Sequence, residues 1–347
     1  MLVPILLFIL GLLCLIKGGD WFVDGASALA HKFNLPEILI GATVVSIGTT
    51  LPEVMVSATS AATGHGELAY GNAIGSIICN TALIAALTLT IKPAEIEKKS
   101  LKLPSAVFFV AAAVYMIVSY FTKSFSRLVG CILLLMFIAY IIISVKQGMK
   151  TMTCKTFEAA AGAGLEAVGD IHLETVTGAD QEKADEKKEK ELSTPKMILA
   201  LVIGAALIAV GARLLVDNGT LIAEGLGVPE SVIALTFVAL GTSLPELVTA
   251  ITSLVKGHGA LSIGNIIGAN LFNLVLVSGL SITIQPFDLP SSKLIGGLNA
   301  SLLVDLPLMV LVSVIMILPA IIKGKMYRWQ GVLLLLLYAG YVVFQFS

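Results

Sequence analysis

The sequence predicts an all-α membrane protein of ten transmembrane helices, built as two inverted-topology repeats of five. Three observations predict it. Hydrophobic residues make up 57% of the 347 positions and charged residues only 13%, where a soluble domain carries roughly 25% charge. The apolar residues fall in runs of about 18 or more with few charges, the length that crosses a bilayer. The two halves of the chain match one another at a fixed offset of 193 residues.

The elements follow in order. The N-terminus is apolar from its second residue, lacks the positive start of a secretory signal, and is followed by no clear small-residue cleavage site. It reads as the first span, approximately 2–18. Further spans fall at 37–62, 67–91, 103–121 and 127–145, which complete a first repeat over 1–145. Spans at 196–215, 229–255, 260–284, 294–320 and 328–346 make the second repeat over 196–347. Several exceed the ~20 residues a bilayer requires, so tilt or a break is expected.

Between the repeats, 146–195 changes character. Glu182 to Glu191 is almost entirely charged and of mixed sign. Such a run cannot bury enough apolar surface to fold alone, although it can extend a helix. It is expected to be a solvated linker, with a regulatory loop as the sharper alternative. Lysine and arginine counts set the orientation. Outside the segment Lys146–Lys196, 4 fall on the side of the N-terminus (Lys123, Arg127, Arg213, Lys293) and 10 on the other. Both termini are therefore expected outside the cytoplasmic membrane and the 146–195 loop in the cytoplasm. The net charge of −1 gives no reason to expect nucleic acid. Cys14, Cys79, Cys131 and Cys154 lie far apart, with neither zinc nor disulfide spacing.

The repeat is the most informative feature. Gly48-Thr49-Thr50-Leu51-Pro52-Glu53 matches Gly241-Thr242-Ser243-Leu244-Pro245-Glu246. Gly64-His65-Gly66 matches Gly257-His258-Gly259, and Gly71-Asn72-Ala73-Ile74-Gly75 matches Gly264-Asn265-Ile266-Ile267-Gly268. Between 41–80 and 234–273, 18 of 40 positions are identical without gaps. Shared apolar composition would not put Gly, Pro, Glu and Asn in register. Five spans per half is an odd number, so the second half enters the membrane from the opposite side. Secondary transporters of this build place their sites near the midplane, at helices broken by Gly and Pro.

The candidate site follows from that rule. Glu53 and Glu246 lie deep in their spans, where a carboxylate costs a few kcal/mol and marks a functional position. Pro52 and Pro245 precede them, and each removes a backbone donor and frees a carbonyl one turn back. That carbonyl belongs to Gly48 in one half and Gly241 in the other. Carbonyls near Ser46, Ile47, Ala239 and Leu240 then need partners, and the hydroxyls of Thr49, Thr50, Thr242 and Ser243 add oxygen. Ser76, Asn80 and Asn273 on the following spans add more. Hard cations take six to eight such oxygens, and a set without thiolate or imidazole favours sodium, calcium or protons. His65 and His258 read as surface turn residues. Asp305 reads as a helix cap or an ion-transfer residue, and Asp20, Asp24 and Asp217 as interfacial.

With these motifs the chain resembles the calcium/cation antiporter superfamily, specifically the prokaryotic sodium/calcium exchangers. The paired Gly-Thr-[Ser/Thr]-Leu-Pro-Glu and Gly-Asn-x-x-Gly motifs carry the resemblance. It implies four central helices around a cation site. Glu53 and Glu246 would bind calcium and sodium alternately, with hydroxyls from Thr49, Thr50, Thr242 and Ser243. Ser46 and Ala239 would add main-chain carbonyls, and Ser76 and Asn80 further ligands. The family's best-described pattern has Ser and Asp where this chain has Ala269 and Asn273. The resemblance implies exchange of Ca2+ for Na+ by alternating access, with Ca2+/H+ antiport as the alternative. No cofactor is expected, and the expected partners are inorganic cations and the lipid bilayer. An intramembrane glutamate protease is the remote alternative, and a channel is a third reading. A protease would need an asymmetric set of acid, water and stabiliser, whereas these acids repeat symmetrically.

Overall fold

The computed structural model describes residues 2–33, 35–169, 194–225, 241–290 and 294–346. Nearly all are helical. In chain order the helices are α1 (Leu2–Lys32), α2 (Glu37–Ala62), α3 (Gly66–Ile91), α4 (Lys98–Thr122) and α5 (Arg127–Gly169). They continue with α6 (Thr194–Gly225), α7 (Leu244–Val255), α8 (Gly259–Ile284), α9 (Ser301–Lys323) and α10 (Arg328–Phe346). Among the described residues, eight helices are long and apolar enough to cross a membrane: α1–α6, α8 and α9. The expected seventh span is represented by the 12-residue α7, because 226–240 lies outside the described residues. The expected tenth is the 19-residue α10.

Several boundaries differ from the sequence reading. α6 continues past the expected end at 215 to Gly225. α9 begins at Ser301 rather than 294, because Leu294–Asn299 folds as a small hairpin. α1 continues well past position 18, because Asp20 and Asp24 are compensated: Lys256 Nζ lies 3.4 Å from Asp20 and 2.7 Å from Asp24. α5 continues past position 145 to Gly169, so the start of the expected linker extends that helix.

The core is formed by α3, α4, α5, α8 and α9, with Phe108, Tyr115, Tyr140, Phe272 and Met316 among its fully buried side chains. α1 and α6 pack chiefly on each other, in a second apolar cluster that also takes in Ile40 and Val45 of α2 and Leu261 of α8. Their backbones touch at Gly204, where a Cβ would sit 2.6 Å from the Phe22 nitrogen. α2 and α8 approach as closely. A Cβ at Gly268 would lie 2.6 Å from Ala42 Cα.

Proline and π-helical turns account for most of the irregular backbone. Pro319 in α9 cannot donate to the Ile315 carbonyl, and Gln330 Nε2 supplies that bond from α10 at 2.6 Å. α2 contains a π-helical turn at Gly41–Val45, and Tyr140 Oη of α5 donates to its Ala42 carbonyl at 2.8 Å. α3 and α8 carry π-helical turns at Asn80–Ala85 and Asn273–Val277, which begin at repeat-matched asparagines. Such turns often mark functional sites.

Short backbone links tie the halves together. β1 (Ser124–Phe125) pairs antiparallel with β2 (Phe287–Asp288). Glu95 bridges Lys325 through the backbone, and their side chains form an ion pair at 2.7 Å. β3 (Leu294–Ile295) and β4 (Leu298–Asn299) form a small hairpin before α9.

Candidate functional site

α2 and α7 are amphipathic in the membrane sense, with polar residues inward. The buried residues of the Ser46–Ala62 part of α2 are Ser46, Thr49, Thr50, Glu53, Ser57, Ser60 and Ala61, while Ile47, Leu51 and Met55 face outward. α7 buries Glu246, Thr249 and Ser253 and exposes Ile251 and Val255. In a bilayer this is the stable arrangement, because lipid solvates the apolar face and the protein must satisfy the polar one. Pro52 and Pro245 sit at the outer edge of the resulting polar centre, lining an apolar cavity with Phe22 and Ala205.

Glu53 and Glu246 are both completely buried, and each lies within reach of the other's charge. The hydroxyls of Thr49 and Thr50 face the Glu246 carboxylate, and Cys79 lies beside Ser243 and both acids. The π-helical turn starting at Asn273 packs against α2 and α3, and the one starting at Asn80 packs against α7 and α8. Two carboxylates, two amides and several hydroxyls from α2, α3, α7 and α8 thus share one buried centre.

The expected ligands fall into four groups. Glu53, Glu246, Asn80, Asn273, Thr50 and Ser243 are buried and have no hydrogen-bond partner on any side-chain polar atom. Ser46, Thr49 and Ser76 are also buried. Ser46 Oγ donates to the Gly41 carbonyl at 2.7 Å, and Thr49 Oγ1 to Asn265 Oδ1 at 3.2 Å. Thr242 is half-buried and lines a larger apolar cavity with Ile47 and Leu51. Ala239 lies outside the described residues.

The first group matches a hard cation. Glu53 and Glu246 offer two oxygens each, and Asn80, Asn273, Thr50 and Ser243 one each. Calcium takes six to eight. A buried carboxylate without a partner is costly, and a cation is the group that offsets it. Among the described residues, no three His, Cys, Asp or Glu side chains form a metal-binding group. The chemistry is therefore that of two carboxylates plus neutral oxygens.

Sequence reasoning assigned no role to the supporting asparagines. Asn72 Nδ2 donates to the Glu53 carbonyl at 3.2 Å and to Ser57 Oγ at 2.7 Å, holding the turn that carries Glu53. Its repeat mate Asn265 accepts from both Ser46 and Thr49. The repeated Gly-Asn-x-x-Gly motif was the available signal. Asn270 Nδ2 donates to Thr81 Oγ1 at 2.6 Å and leaves its Oδ1 without a partner. Only its place within the apolar eighth span pointed to it.

His258 is not a free turn residue. Its Nδ1 lies 2.7 Å from Glu37 Oε1 and 3.3 Å from Ser27 Oγ, joining the α7–α8 loop to α1 and α2. The Glu37 carboxylate beside it raises the pKa of His258 above its ordinary value, and partial burial opposes that rise. Asp305 accepts from Gln345 Nε2 at 3.1 Å, on the α9–α10 side of the molecule.

The chain is similar to known proteins over nearly its whole length. The profile of the family described as sodium/calcium exchanger protein matches residues 3–146 and 196–347. The sodium/calcium exchanger MaX1 of Methanosarcina acetivorans is 30% identical, and the match covers 99% of each chain. The inner membrane protein YrbG of Escherichia coli is 33% identical over 83% of this chain and 82% of its own. Among solved structures, the sodium-calcium exchanger NCX_Mj, soaked with Na+ and Sr2+, superposes with a TM-score of 0.77 at 29% identity. That match covers 99% of this chain and 98% of the other.

Proposed function

Because the chain belongs to the sodium/calcium exchanger family, it is a membrane antiporter of ions rather than an enzyme, and we propose that it exchanges Ca2+ for Na+ by alternating access. One observation carries the reading. Two fully buried carboxylates, one from each sequence repeat, meet among amide and hydroxyl oxygens that lack protein partners. That centre suits a partly dehydrated divalent ion, or monovalent ions in its place.

Four contacts between chain segments support ten crossings in two inverted halves. Ser124 pairs with Asp288, Glu95 bridges Lys325, a Cβ at Gly66 would collide with Phe287, and His258 bonds Glu37. Each joins points separated by an even number of crossings if 226–255 spans the membrane once. Every one would join opposite sides if it did not. With the lysine and arginine count, this favours both termini outside the cytoplasmic membrane and the 146–195 segment in the cytoplasm.

In the cycle, Glu53 and Glu246 hold the ion while Thr50, Ser243, Asn80 and Asn273 replace its lost water. Asn72 and Asn265 keep the turns of α2 in place. The resident ion must leave before its competitor enters, because the same oxygens serve both.

Calcium uptake into proteoliposomes, driven by an outward sodium gradient, tests the reading. Uptake should require sodium inside and disappear in both Glu53→Gln and Glu246→Gln. Uptake that ignores sodium but follows a proton gradient would favour Ca2+/H+ exchange, and normal transport by both variants would place the site elsewhere.

A further inference from the structure

Three buried hydroxyls on α7 and α8 have no structural explanation. Thr249, Ser253 and Ser262 are at most 1% exposed, and their hydroxyl oxygens have no hydrogen-bond partner among the described residues. A buried serine or threonine in a membrane helix ordinarily bonds a carbonyl one turn back in its own helix. Ser119, Ser281 and Ser313 do so here, donating to Tyr115, Val277 and Met309 at 2.8, 2.8 and 2.7 Å. Thr249, Ser253 and Ser262 do not, and a buried polar group left unpaired costs about 1–3 kcal/mol.

Their placement is ordered. Glu246, Thr249 and Ser253 fall at i, i+3 and i+7, along one face of α7. Ser253 precedes the Lys256–His258 turn by three residues, and Ser262 follows it by four. Beside that turn lies a cavity of about 340 Å3. Glu37 of α2, Thr88 of α3, Leu254 of α7 and Ser262 of α8 line it, with Lys92 and Glu95 from the turn after α3. The same four helices form the buried ion centre. Thr88 and Leu254 stand eight residues from Asn80 and Glu246, about 12 Å along their helices. On the topology proposed above, the turns after α3 and α7 face the cytoplasm.

We infer that this cavity is the cytoplasmic vestibule of the ion pathway, and that Ser262, Ser253 and Thr249 are the oxygens over which a dehydrating Na+ or Ca2+ moves between it and the Glu53–Glu246 pair. The inference rests on the exchange reading and adds the route by which ions reach the site from one face. A neutral hydroxyl can replace a water on a hard cation, and it holds the ion less firmly than a carboxylate, as a passage requires. The first repeat lacks the track. At the offset of 193, Thr249 and Ser262 correspond to Val56 and Ala69. The three oxygens therefore serve one membrane face only.

Two measurements on the full-length protein test the route. Thr249→Val keeps the branched shape and removes the oxygen. It should melt at or above the wild-type temperature, because an unpartnered buried hydroxyl is gone, yet its maximal sodium-driven calcium uptake should fall severalfold. Wild-type uptake by Thr249→Val would overturn the route, since a packing role moves stability and not rate. The second measurement uses Ser262→Cys in sided membrane vesicles, with a cationic, membrane-impermeant methanethiosulfonate as the probe. Added to inside-out vesicles, the reagent should abolish uptake by Ser262→Cys faster than it affects wild type, and calcium in the bath should slow the reaction. Added to right-side-out vesicles, it should affect the two proteins alike. Reaction from the outer face alone, or from neither face, overturns the vestibule while leaving sodium/calcium exchange in place. Absence of sodium-driven calcium flux in the wild type overturns the exchange reading, and the route with it.

Discussion

Gly268 offers the sharpest test of how the helices of the site are held. Its backbone lies against α2 so closely that the Cβ of Gly268→Ala would sit 2.6 Å from Ala42 Cα and 2.8 Å from the Ala42 carbonyl oxygen, and closer still to Ser46 Oγ. Carbon atoms rest at about 3.5–4.0 Å, so the two helices must part by about 1 Å. Overpacking of this kind costs about 1–3 kcal/mol. The shift also stretches the 2.8 Å bond from Tyr140 to the Ala42 carbonyl, worth about 0.5–1.5 kcal/mol. Alanine's better helix propensity returns about 1 kcal/mol. The net expectation is a loss of about 1–3 kcal/mol. Function should suffer as well, because Ser46 and Thr49 would leave their bonds to Asn265. Thermal unfolding in detergent and sodium-driven calcium uptake are the readouts, with Gly340→Ala as control, since no atom lies within 4 Å of its added Cβ. Gly268→Ala should melt below wild type and lose uptake, and Gly340→Ala should do neither. If Gly268→Ala matched wild type in both, the α2–α8 crossing would not be the rigid contact described.

Other expectations are as concrete. Glu53→Gln or Glu246→Gln removes one of two buried compensating charges, a change of about 3–5 kcal/mol for a buried pair, so calcium binding measured by calorimetry should weaken at least 100-fold. Gln330→Leu strands the carbonyl that Pro319 frees, and the buried acceptor should cost about 1–3 kcal/mol in unfolding measurements. The Glu37 carboxylate raises the pKa of His258, so the protonated pair contributes fully below the unfolded histidine value of about 6.5 and is lost as pH rises through the higher folded value. Wild type should therefore exceed His258→Gln in melting temperature at acidic pH, and the gap should close as pH rises through the raised folded value. A constant gap across that range would mean the contact does not depend on charge.

Much of this was legible in the sequence, for identifiable reasons. Membrane spans announce themselves because the bilayer leaves the backbone few choices. The paired acids stood out because a carboxylate at such depth needs a function, and because the repeat displayed the motif twice. The extent of α1 was less visible. Asp20 and Asp24 looked like the end of a span, and their compensation by Lys256 lies more than 200 residues away in the chain. His258 was read as a surface turn for the same reason, since its partner Glu37 is distant in sequence. A proline within a span frees a carbonyl, as Pro319 does, but nothing local in the sequence names Gln330 as its donor. The π-helical turns at Asn80 and Asn273 left no pattern a helical period would reveal.

The cross-links at β1–β2 and at Glu95–Lys325 carry a consequence for assembly. Each fastens a loop of one repeat to a loop of the other, and on the proposed ten-crossing topology the two fasteners sit on opposite membrane surfaces. Like clasps at both ends of a folded book, they hold the gene's two similar portions face to face, independent of the peptide that joins them. Severed within the charged stretch and co-expressed as two polypeptides, the portions should find each other and copurify, because their mutual recognition is written in those clasps and in the buried polar centre to which both contribute.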